Sequence, residues 1–150
     1  MLLLHRQALN KHLSKYKLLQ GVKIDPACTF CRLRGTTPLP SETPVHFYSQ
    51  CIFIQRLWTK IWDWTAPNHN SNFTIRDRVL GISNQRTYSI SNTLLRETRS
   101  TIWKARISKQ IPTLREVKQR LKQQIPNLLL VNSNAAIKQG LIRLQNLVEN

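Results

Sequence analysis

Acidic residues are scarce in this chain: seven aspartates and glutamates stand against 23 lysines and arginines, for a formal charge of +16 and a pI near 10.8. They are also scattered, with Asp25, Asp63, Asp77, Glu97 and Glu116 each standing alone. Metal-assisted phosphodiester cleavage needs clustered carboxylates to hold its ions, so this distribution speaks against a nuclease. No polymerase signature of the Tyr-x-Asp-Asp kind occurs either, and the expectation is a protein that is not an enzyme. Cysteine is equally sparse. Three cysteines cannot pair off as disulfides, which points to a reducing intracellular compartment, nucleus or cytoplasm. The opening run Met1-Leu2-Leu3-Leu4 meets His5 and Arg6 at once, too short for a secretory signal, and no membrane partner is expected. The first twenty residues carry Arg6, Lys11, Lys15 and Lys17 without an acid, which keeps a mitochondrial transit peptide as the competing reading of that segment. Runs of strict apolar–polar alternation are missing too, so the class is all-α.

What is present is a basic chain of 150 residues, 41% hydrophobic, long enough for one ordinary core. A charge imbalance of this size favours a polyanionic partner. Helical spacing places Leu2, Leu9, Leu13 and Tyr16 on one face, with Gly21 as terminator. Gly35, Pro38, Pro40 and Pro44 then mark an irregular loop, and Thr43 is placed to cap a helix that has Pro44 at its first position. The stripe Cys51, Ile54, Leu57, Trp58, Ile61 and Trp62 predicts a buried face, with both tryptophans in the core and a stop before Pro67. A short helix is expected around Ile75, Val79 and Leu80, and a long one from about Ser89 to Lys109 with Leu94, Leu95, Thr98, Ile102 and Ala105 inward. Thr113 and Glu116 form a capping box ahead of Leu114, Val117, Leu121 and Ile125, a face that runs up to Pro126. A last helix is drawn through Ile137, Leu141, Leu144 and Val148. The expected organisation is a zinc-binding helical domain over residues 1–110 and a helical extension over 111–150, packed on it or loosely attached.

All three cysteines belong to one pattern. Cys28 and Cys31 form a CxxC whose tight turn brings two thiolates to one ion, and His46 with Cys51 supplies the other two corners of a tetrahedron. Thiolate and imidazole together suit zinc, and four protein ligands leave no position for a reactive water, so the site reads as structural. Five residues on a regular helix turn through about 140° from a shared face, so either the turn at His46 is distorted or the imidazole reaches in from the rim. A redox role needs a βαβ context that is missing here, while buried cysteines without a metal are the plainer alternative.

Leu9, Asn10 and Leu13, then Cys28-Thr29-Phe30-Cys31, then Glu42-Thr43-Pro44-Val45-His46, then Cys51 and Trp58, together resemble the zinc-binding domain that follows the reverse transcriptase of non-LTR retrotransposons. Ile102-Trp103-Lys104-Ala105-Arg106 is similar to that family's helix after the zinc site. The resemblance covers roughly residues 2–110 and implies a nucleic-acid-binding accessory, working beside a reverse transcriptase and holding RNA or DNA.

Candidate contacts follow from helical spacing. Arg96, Arg99, Trp103 and Arg106 fall at i, i+3, i+7 and i+10, opposite the inward stripe, as a basic ribbon whose indole could stack on an unpaired base. A solvated face with a half-buried tryptophan is the competing reading. Arg32 and Arg34, just after the CxxC, are placed for phosphate contact on a metal-fixed loop. The alternative function is a protein–protein interaction module with incidental charge, docking through Ile137, Leu141, Leu144 and Val148.

Overall fold

Local capping chemistry decides where several of the described helices begin. A computed structural model describes residues 27–66, 73–81 and 90–149; the opening helix expected over Leu2 to Tyr16 lies outside the described residues. Within them run α1 (Thr29–Leu33), a π-helical turn (His46–Gln50), α2 (Ile52–Thr65), α3 (Ile75–Leu80), α4 (Ile90–Ile107), α5 (Leu114–Val131) and α6 (Ala135–Glu149). The fold is all-α, with no strand among the described residues and a single isolated bridge between Ala27 and Ser41.

Thr43 caps as its sequence position predicts: its Oγ1 accepts the His46 N–H at 3.1 Å and its carbonyl accepts the Phe47 N–H at 2.8 Å. At α5, Thr113 Oγ1 accepts the Glu116 N–H while Glu116 Oε2 accepts the Thr113 N–H at 2.7 Å, a complete capping box. A second box, unforeseen in the sequence, starts α3, where Thr74 and Asp77 exchange the same pair of bonds. Helix α4 ends in a Schellman arrangement: the Gln110 N–H donates to Ala105 O at 2.9 Å and the Lys109 N–H to Arg106 O at 3.2 Å. Lys109 therefore sits in the left-handed region, at φ 53°.

One contiguous core joins α2, α4, α5 and α6. Ile54 and Ile61 of α2, Leu94 and Ile102 of α4, Leu121 and Ile125 of α5 and Leu141 of α6 are fully buried, each contributing about 1.5–3 kcal/mol. Trp64 Nε1 donates to Leu147 O at 3.1 Å, tying α2 to α6. Glu97 is buried yet charged: it pairs with Arg96 at 2.8 Å and with Arg120 at 3.1 Å, and Arg120 also donates to Ser100 Oγ at 2.7 Å, locking α4 to α5.

Three expectations are corrected here. Trp62 is not core but 45% exposed, because the buried stripe continues through Ile61 to Thr65 and leaves Trp62 at its edge. Helix α5 does not end at Pro126 but continues to Val131. The ring is on the exposed side, where water can serve the freed carbonyl, while Ile125 and Leu128 carry the buried face past it. Finally, the stripe of α6 that the alternative reading assigned to a docking partner is turned inward, with Leu141 and Leu144 buried and Ile137 and Val148 packed against the core.

Candidate metal centre

The centre is assembled at two helix starts. Cys28 precedes α1 with φ −57° and ψ 125°, and its N–H donates to Pro40 O at 2.8 Å, so the proline-rich loop is closed at its base. Cys31 lies one turn on, inside α1, and its carbonyl accepts both the N–H and the hydroxyl of Thr36. His46 and Cys51 are joined by a backbone hydrogen bond of 2.7 Å from the Cys51 N–H to His46 O. That i→i+5 bond is the distorted turn, one of the two arrangements that the spacing left open: the widened turn brings residues five apart closer to one line than an α-helix would. The chain then breaks at Cys51, φ −58° and ψ 127°, and α2 begins anew. What reads in the sequence as one helix from Pro44 onward is a π turn followed by a separate helix.

The ligand atoms converge. Cys31 Sγ lies 3.7 Å from Cys51 Sγ and 3.5 Å from His46 Nε2, and Cys28 Sγ lies 3.9 Å from Cys51 Sγ. All four ligand atoms fall within 4.8 Å of one another, and the cysteines are free of disulfides. A tetrahedral zinc with bonds of about 2.3 Å to sulfur and about 2.0–2.1 Å to nitrogen requires about 3.7 Å between sulfurs and about 3.5 Å from sulfur to nitrogen. Those three separations are close to that requirement, and with every pair of ligand atoms within 4.8 Å the donor set could hold a four-coordinate ion. The three sulfurs are buried, and His46 stands at the half-buried rim.

Charge in the cluster is unevenly shared. The hydrogen bond shared with Cys51 pulls Cys28 down to about 5 against the opposing effect of burial, with the backbone at Cys31 and Phe30 assisting. The same bond with Cys28, together with burial, pushes Cys51 far up. Burial likewise pushes Cys31 up. The cluster alone thus favours one thiolate, and a divalent cation would replace the remaining thiol protons.

Glu42 supports the centre from behind. Its Oε2 accepts the Thr29 N–H at 2.7 Å, at the first residue of α1, and its Oε1 pairs with Arg106 Nε of α4. Phe47, between the ligands His46 and Cys51 in the chain, stacks on Phe30 at 5.5 Å and meets Trp103 edge-on at 6.2 Å. Sequence reasoning missed this role for Glu42, although it is the one acid between Asp25 and Asp63.

The basic ribbon of α4 is likewise placed differently from expectation. Arg106 is held by Glu42 and lies over Trp103 and Phe47; Arg96 is held by Glu97; the half-buried Arg99 covers the Tyr48 ring at 5.2 Å. Desolvation lowers the pKa of Arg99, partly offset by the field of Tyr48. Trp103 is half-buried against Phe47. Arg99, Trp103 and Arg106 face Phe47 and Tyr48 of the π turn, which pack on this side of α4, whereas Arg96 pairs with its chain neighbour Glu97. Arg32, in the last turn of α1, and Arg34, at its C-cap, are exposed. None of the described helices is long and apolar enough to cross a membrane. No family model, curated protein or solved structure matches the chain.

Proposed function

We propose that Cys28, Cys31, His46 and Cys51 bind a structural zinc ion, and that the domain it staples is a nucleic-acid-binding module that holds RNA or single-stranded DNA. The observation that carries the second half of this reading is the fate of the acids. Two of the seven, Glu42 and Glu97, are paired with arginines within the fold, and Asp77 and Glu116 are held in capping boxes at its surface. Little negative charge is left to offset the lysines and arginines on the surface, and such a surface attracts a phosphate backbone by displacing its counterions. The resemblance to the zinc-binding domain beyond non-LTR reverse transcriptases supports the same role and adds an expectation of work beside a reverse transcriptase. Cys28, Cys31, His46 and Cys51, all within that motif, come within 4.8 Å of one another, and Glu42 of the same motif accepts the Thr29 N–H beside them.

The test joins metal content to binding. Purified protein is expected to carry one zinc per chain and to bind an unstructured RNA with a log–log salt slope near −4, the value for about six neutralised phosphates on a single strand. Removing zinc should weaken that binding. Binding that ignores salt, or a protein without zinc that binds equally well, overturns the reading.

A further inference from the structure

An open groove of ≈ 620 Å³ lies between α2 and the link that carries the chain from α4 into α5. One wall is a single stripe of α2, Phe53, Arg56, Leu57 and Lys60, at i, i+3, i+4 and i+7. Ile111, Pro112 and Leu114 form the other, and Arg34, just after α1, adds a third cation. Arg34, Arg56 and Lys60 are exposed, no acid lines the groove, and none of the three is ion-paired among the described residues. Three like charges around one concavity raise the local potential and concentrate an anion there.

The groove is also apolar between those cations. Phe53, Ile111 and Leu114 pack against the core on one side yet stay partly open to the groove on the other. A duplex keeps its base faces stacked inside and offers a basic surface only sugar and phosphate, for which an apolar floor has no use. An unpaired strand offers both phosphates and base faces. We propose that this groove is where the module holds a single-stranded nucleic acid, with phosphates on Arg34, Arg56 and Lys60 and a base against Phe53. The inference rests on the nucleic-acid reading above and refines it: the arginines of α4 are engaged with Glu42, Glu97 and Tyr48, whereas those of the groove are not.

Fluorescence anisotropy of the full chain with a labelled oligouridylate tests it. Arg56→Ala with Lys60→Ala is expected to weaken binding at least tenfold and to make the salt slope shallower by about 1.4, two phosphates' worth, with zinc content unchanged. Phe53→Leu, which keeps an apolar side chain against the core, should weaken single-strand binding about tenfold, the loss of one stacked base, while leaving binding of the matching RNA duplex alone. If the wild type binds the oligonucleotide and the double variant binds it with the same affinity and slope, the groove is wrong and the module reading stands. If the wild type binds no oligonucleotide, the module reading itself has failed. Displacement of the oligonucleotide by poly-glutamate at equal charge would also overturn the proposal, because an acidic peptide would then fit the groove equally well.

Discussion

Cys28 and Cys51 share one local geometry: each stands immediately ahead of a helix, at φ/ψ of −57°/125° and −58°/127°, and their sulfurs lie 3.9 Å apart. The backbone of the following turn pulls each thiol toward the thiolate, Phe30 and Cys31 at Cys28, and Phe53 and Ile54 at Cys51, where the bond with Cys28 and burial outweigh it. Helix N-termini favour a thiolate over a thiol. Two helix starts are therefore aimed at one point, and an ion bound there would set the orientation of α1 against α2.

Replacing either of these sulfurs should remove the metal. Cys28→Ser and Cys51→Ser are each expected to purify without stoichiometric zinc, and a chelator should lower the thermal midpoint of the native chain. Structural zinc is worth on the order of 10 kcal/mol in isolated zinc-finger peptides, comparable with the stability of a whole domain. Elemental analysis and circular-dichroism melts check this; a melt unchanged by chelation would sink the zinc assignment.

Glu42 couples the metal loop to α4 through Arg106. Glu42→Gln should cost about 2 kcal/mol, because the substitution leaves a partly buried guanidinium without its counter-charge. In a double-mutant cycle with Arg106→Met, the two changes should be less harmful together than their sum by about 1 kcal/mol. Strict additivity in urea unfolding would show that the pair contributes nothing.

Glu97 is more deeply placed, its side chain 4% exposed, and it holds two arginines. Glu97→Ala is expected to destabilise by about 3 kcal/mol, the lower end for a broken buried pair, since Arg96 and Arg120 keep some access to water. The loss should appear in the urea midpoint with an unchanged slope. A loss under about 0.5 kcal/mol would place Glu97 among ordinary surface charges.

Lys109 occupies the left-handed position that closes α4, where a side chain is penalised and glycine is not. Lys109→Gly should raise stability by about 0.5–1 kcal/mol. A lowered denaturation midpoint would mean that the lysine makes up for its backbone elsewhere.

Gly140 of α6 lies where a Cβ would come within 2.8 Å of Ile90 Cδ1. Gly140→Val should therefore cost about 1–3 kcal/mol by overpacking, and Ile90→Ala in the same chain should recover part of it. If the pair of changes is additive, the close approach of α4 and α6 is not what restricts this position.

The helices were legible because burial leaves a local trace: Ile54, Leu57, Trp58 and Ile61, or Val117, Leu121 and Ile125, recur at the period of the helix they occupy, and Thr113 with Glu116 announces its own cap. The four candidate ligands were legible for a similar reason, since CxxC and HxxxxC are short-range spacings that serve one ion. Pro126 misled because local chemistry marks proline as a terminator, whereas the apolar face through Leu128 keeps α5 going.

By itself, then, the sequence determined the helical class, the donor set and the excess of positive charge, all of which are properties of composition or of neighbours within a turn or two. Tertiary structure decided between the two arrangements open to the turn at His46, set the partners of Arg99 and Arg106 on α4 and formed the groove along α2. Each of these depends on groups distant in the chain, as when Glu42 meets Arg106 across 64 residues. Such a meeting is selected by the free energy of the whole packed chain and leaves no periodic mark at either end.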